Sequence, residues 1–278
     1  MRHTIIERGI PLMKKLISAL LIAALMLACC ACGQPLAGGF RELETVGEKH
    51  YSVICRSGDR LAPVIHAAMN QLAASGMLAS VSARWLGKDV ITLDGDRNAL
   101  ADIPAEERSI DRTLIVGVEG GFNPMAFERG GELVGMSVEI GEQLGALLGC
   151  PVVFQSIAPA EVGAQLSSGN VDCAVGFDAS LVDGGKYDIG DSYMDSDIVV
   201  AVRSDSEVSK LSDLKEQRIG IVDDPSVQKA VKASEKVTKY ASGATVYISS
   251  DRCISALDNG WCAAVAMDRL QLVFLDSE

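Results

Sequence analysis

The residue types that most often do chemistry are sparse in this chain and poorly arranged for it. Three histidines, His3, His50 and His66, stand isolated, and nothing around them reads as a metal site. Cys55, Cys150, Cys173, Cys253 and Cys262 match no zinc-ligand spacing, and five cysteines cannot all pair. Most of them lie in apolar runs, which predicts buried free thiols; a bridge between Cys253 and Cys262 stays open. Gly117-Val-Glu-Gly-Gly121 follows a strand-like run without the glycine spacing that cradles a dinucleotide. No phosphate-binding loop, nucleophile elbow or His-Glu-x-x-His pair occurs. The chain is therefore not read as an enzyme, and no cofactor or metal is expected.

One nucleophile does sit in a chemically suggestive place. Met13-Lys14-Lys15 leads into the mainly apolar run Leu16–Ala28, followed by Cys29-Cys30-Ala31-Cys32-Gly33. A positive start, an apolar stretch too short to span a bilayer comfortably and a small residue before the cut form an export signal over residues 1–28. A cysteine directly after Leu27-Ala28 resembles the bacterial lipobox, which implies a diacylglycerol thioether on Cys29. Cys32 is a competing site. Residues 29–39 then read as a short lipid-anchored linker.

Removing residues 1–28 takes away Arg2, Arg8, Lys14, Lys15 and Glu7, which leaves 21 basic and 36 acidic residues, net −15. Such an acidic surface repels nucleic acid and anionic headgroups, so membrane attachment would come from the lipid and not from a basic patch. Apolar residues make up 48% of the chain and prolines number only 8 against 27 glycines. That balance argues for a folded α/β protein and against disorder.

The elements that must position any site follow from periodicity. Tyr51–Cys55 reads as a short buried strand. Leu61, Val64, Ile65, Ala68, Met69 and Leu72 then recur at the spacing of an amphipathic helix, and Leu78, Val81 and Trp85 define a second. Residues 88–112 carry no sustained apolar period and read as a connector. From Leu114 strand and helix alternate: strands at 114–118, 151–154 and 171–175, with helices over 138–148 and near 162–166. After a strand at 198–202 a second alternation follows, with strands at 218–222, 245–248 and 262–267 and helices from Ser226, Asp251 and Asp268. Two α/β units joined by a strand predict two lobes.

Leu114-Ile-Val-Gly-Val-Glu-Gly-Gly-Phe-Asn-Pro-Met-Ala-Phe127, Gly131–Ile140, Ser168–Phe177, Leu211–Lys215 with Ile219-Gly-Ile221, and Ala256–Arg269 occur in the order found in the extracellular amino-acid-binding proteins of ABC importers. The chain resembles that family, solute-binding family 3, over residues 113–278. The resemblance implies a two-lobed, type II periplasmic-binding-protein-like fold, a Venus flytrap that closes on its ligand. The family's closing strand and helices are missing after residue 278, yet Tyr51-Ser-Val-Ile-Cys-Arg-Ser-Gly-Asp59 and Met77–Trp85 resemble them. A circular permutation is therefore expected, with residues 57–193 as lobe I and residues 40–56 plus 194–278 as lobe II. A trimmed tandem duplication is the rival.

Carried over by position, the resemblance implies that Glu119 and Phe122 contact the ligand, that Ser226 opens a helix facing its carboxylate, that Asp268 binds its ammonium and that Asp178 lies nearby. The usual second aromatic wall falls on Pro159. The family's carboxylate-clamping Arg is absent from Ala179–Lys186. The resemblance implies an amino acid or related small cationic or zwitterionic solute, while an acidic cleft without that Arg makes a cationic ligand, such as a polyamine or a basic amino-acid derivative, the competitor. The implied partners are an ABC permease and the membrane, through the lipid, on the outer face or in the periplasm. A ligand-sensing module for a receptor or kinase is the other class.

Overall fold

The computed structural model describes residues 39–275. The export signal, Cys29, Cys32 and nearly all of the linker lie outside the described residues, as does the end of the chain past residue 275. Among the described residues no helix is long and apolar enough to cross a membrane.

Strand β1 (Phe40–Arg56) opens the fold and is followed by helices α1 (Leu61–Ala74), α2 (Met77–Leu86) and the short α3 (Ala105–Arg108). The predicted helical stripe is the buried one: Leu61, Val64, Ile65, Ala68, Met69 and Leu72 all face the core. Fully burying a Val, Leu, Ile or Met side chain contributes about 1.5–3 kcal/mol, which is what holds a helix with no side-chain cap.

Next come β2 (Leu114–Val118), a β3 (Phe127–Arg129)/β4 (Glu132–Val134) hairpin, α4 (Met136–Leu148), β5 (Val152–Ser156), α5 (Val162–Ser168), β6 (Cys173–Asp178) and β7 (Tyr187–Ile189). The chain continues through β8 (Met194–Arg203), β9 (Arg218–Val222), α6 (Pro225–Ala233), α7 (Glu235–Tyr240), β10 (Gly243–Tyr247), α8 (Ser250–Asp258), β11 (Ala264–Asp268) and α9 (Arg269–Leu275). The expected strands and helices are present within a few residues, except that the first strand begins at Phe40 and not at Tyr51. The hairpin, β7, α7 and the short α3 within the expected connector are additions that short, weakly periodic stretches do not announce.

The main sheet runs β10-β9-β11-β8-β1-β6-β2-β5. Its flanks are two parallel units, β10-β9-β11 and β6-β2-β5, joined through the antiparallel centre of β8 and β1. Parallel strands with helical crossovers are covered on both faces, which fits the continuous apolar runs of β2, β6 and β11. One core gathers Ile198–Val202, Ile219, Val227 and Met267, a second joins α1, α2 and α4 to β2, and a third sits across the sheet around Ile54, Ile157 and Phe177.

Only the last third of β1 was legible as a strand, and its pairing changes along its length. Residues 40–51 pair with β8, while residues 51–56 pair with β6 and β7. Along β1 the pairing partner therefore changes at Tyr51, which faces both Met194 and Asp178. The five described cysteines are buried free thiols, so the open pairing of Cys253 with Cys262 is not made.

Candidate functional site

A cavity of about 240 Å³ opens between the two parallel units. One side is the turn after β2, Glu119–Phe122, with Ser156–Pro159 after β5. The other is Val222–Asp224 after β9, Ile248 and Ser249 after β10, and Gln271 on α9. All these strands are extended toward the cavity by their C-terminal ends, where open α/β sheets leave a crevice.

Local sequence explains the geometry of the first wall. A Cβ at Gly120 would lie 2.2 Å from Ser156 Oγ, so only glycine lets the β2 turn approach β5 this closely. Gly121, at φ 94°, then reverses the chain and delivers Phe122 into the centre, where it is buried against Tyr51 with ring centres 6.3 Å apart. Pro159, the expected second wall, does line the cavity.

Beneath Phe122 lies a buried ionic cluster that sequence reading missed. Asp224 caps α6: Ser226 N and Val227 N donate to its Oδ1 at 2.7 and 3.3 Å, ahead of Pro225 at the first helical position. Its other oxygen contacts the Lys49 ammonium. Lys49 Nζ is also 3.9 Å from Asp268 Oδ2 and lies 4.9 Å from the centre of the Phe122 ring. The Asp-Pro pair was a signal for the cap. Nothing in a strand reading of residues 51–55 pointed to Lys49.

The predicted residues fall into two groups. Glu119 and Phe122 line the cavity. Asp268, at the end of β11, is fully buried and accepts from Tyr51 OH at 2.5 Å, Ser196 Oγ at 2.6 Å and Leu270 N at 2.7 Å. Asp178 caps the turn after β6, accepting from Ser180 N at 3.1 Å and Ser180 Oγ at 2.6 Å. Ser226 is buried and directs its backbone N–H to Asp224. Phe127 is core, packed between Trp85 and Phe274.

Electrostatics concentrate on the same spot. Burial, then the negative charge of Asp224, raises the Glu119 carboxyl to about 8, against the opposing pull of Lys49. Burial also raises Asp268, partly offset by Lys49 and the hydroxyls of Ser196 and Tyr51. Burial pulls the Lys49 ammonium down, yet Asp224, Asp268 and Glu119 outweigh it, so Lys49 stays charged. Gln271 is 2% exposed, and its Oε1 has no hydrogen-bond partner among the described residues. Among those residues no three His, Cys, Asp or Glu side chains group to hold a metal ion.

Two parallel α/β units joined by antiparallel central strands, with a polar cavity between their strand ends, define a type II periplasmic-binding-protein-like fold. The chain belongs to the bacterial extracellular solute-binding proteins, family 3, whose model matches residues 114–264, more than half of its length. A substrate-binding protein of an ABC uptake transporter from Streptococcus pneumoniae, solved with bound histidine, is similar at a TM-score of 0.52 and 20% identity, over 58% of this chain and 67% of that one. An ancestral arginine-binding protein bound to glutamine gives 0.50 and 22%, over 60% and 75%. These likenesses are of fold. No curated protein matches the chain.

Proposed function

We propose that this chain captures a small cationic or zwitterionic solute, amino-acid-like in chemistry, for an ABC importer, and that a lipid on Cys29 holds it at the membrane. The observation that carries the reading is the cavity itself. It is lined from both parallel units, edged by Glu119, Asp223 and Asp224, and flanked by the buried Gln271. A solute bridging both walls favours the closed arrangement by contacts that an open one lacks. The amino acids held by the two similar structures agree with a solute of this size and charge.

The permuted chain order belongs to the same proposal. It is supported by the way residues 40–86 contribute to all three cores: β1 pairs with strands of each unit, and α1 and α2 pack on α4.

The test is a thermal-shift screen of amino acids, polyamines and neutral sugars against the exported protein. A ligand that binds only the folded form raises the melting temperature. The expected outcome is a rise with one or more cationic or zwitterionic compounds. A rise with neutral sugars alone would replace the solute class, and mass spectrometry of the mature N-terminus checks the acyl group on Cys29 against Cys32.

A further inference from the structure

The acidic floor of the cavity already holds a cation, and it belongs to the chain. Lys49 projects from the part of β1 that pairs with β8 and is 2% exposed. Burying a lone ammonium is costly unless paired charges and polarisable groups surround it. Here Asp224 and Asp268 approach it from α6 and β11, while the rings of Phe122 and Tyr51 stand 4.9 and 5.7 Å from Nζ. Two carboxylates and an aromatic lid form a complete receptor for a primary ammonium group, and the receptor is full. What lines the open volume on the acidic side is Glu119 and Asp223, with Gln271 beside them.

We propose that Lys49 is a tethered cation that fills the amine position between Asp224 and Asp268 and so sets the specificity of the cleft. The solute's positive group is confined to the Glu119 and Gln271 side, and the position under Phe122 opens to a free amine only when Lys49 is removed. This rests on the reading of the cavity as a solute site, but its test does not need the natural solute.

Lys49→Ala removes Cγ, Cδ, Cε and Nζ, which together are the atoms of propylamine. Lys49→Met removes the charge and keeps the slot filled. Melting temperatures of wild type and both variants are measured with and without propylammonium, with tetramethylammonium as a cation too bulky for the slot. The expected result is a rise with propylammonium in Lys49→Ala, well beyond any rise in wild type or Lys49→Met and absent with tetramethylammonium. If Lys49→Ala does not fold alone, the same comparison is read as soluble yield on refolding with each cation. A response equal in Lys49→Ala and Lys49→Met, or no rescue of Lys49→Ala by propylammonium, overturns the proposal. Failure of every solute to shift wild type would instead remove the solute site, and leave the filled amine position standing.

Discussion

At the scale of single residues, Asp224 links the helix that opens the site to the cation beneath it. One oxygen caps α6 and the other pairs with Lys49, so Asp224→Ala strands a buried ammonium and uncaps a helix together. Breaking a buried pair costs about 3–5 kcal/mol, and a lost cap adds about 1. Asp224→Asn keeps the capping oxygen and should lose less, by about the cap's share; urea unfolding of both variants checks the order. Glu119 gives a pH signature. Its carboxyl keeps a proton up to about 8 when folded and loses it near 4.5 when unfolded, so the folded state binds more protons between those values. Glu119's contribution to the stability of the empty protein should therefore fall as pH rises from about 4.5 to about 8 and level off above; Asp268 and His50 act in the same direction, while His66, held down by burial, opposes them. Glu119→Gln should flatten that slope. A cation bound at Glu119 favours its ionised form, so affinity should rise with pH toward about 8 and binding should release a proton. Calorimetry in two buffers of different ionisation heat reads that proton directly; identical heats would exclude it.

At the scale of elements, one close approach sets how α4 lies on the sheet. Gly176 sits in β6 at φ 84°, and a Cβ there would stand 2.0 Å from Ser137 Oγ at the start of α4. Gly176→Ala combines a strained backbone with overpacking and should cost about 2–5 kcal/mol, measured as a lower denaturation midpoint at unchanged m-value. Elements differ in how far they could be read in advance. The apolar stripes of α1 and α4 and the runs of β2 and β9 carry their own periods, so their types follow from local spacing alone. Residues 40–50 carry Arg41, Glu42, Glu44, Glu48 and Lys49, which hide a strand whose partner β8 lies far along the chain. Its half-buried glutamates are held by ion pairs, with Arg269 Nη2 2.8 Å from Glu42 and Lys236 Nζ 2.5 Å from Glu44.

At the scale of the whole molecule, the proposed permutation makes a constructive prediction. A chain cut in the exposed stretch at residues 111–113, with residues 40–110 moved behind residue 275 through a flexible linker, keeps every strand pair of the sheet. It should fold with a melting temperature near that of the parent and give the same solute response. Deleting residues 40–87 should instead leave no cooperative transition, because β1 separates β8 from β6 and all three cores lose members. A stable, cooperatively melting deletion would show that the segment is an appendage.

By itself the sequence determined the α/β order, the two alternating units, the apolar faces of the helices and the motifs that mark the family, because each is a local pattern of period, turn residue or cap. Glu119, Phe122 and Pro159 came from the family resemblance, carried over by position, and all three line the cavity. Tertiary structure alone decided that Lys49 is buried and that Asp268 is held by Tyr51 and Ser196. The partners of those groups lie far away in sequence: Lys49 meets Asp224 across 175 residues and Tyr51 meets Asp268 across 217. A charged residue in a polar stretch carries no mark of burial. Only the folding of β1 between the two units brings its lysine under Phe122, where paired carboxylates make an internal charge stable.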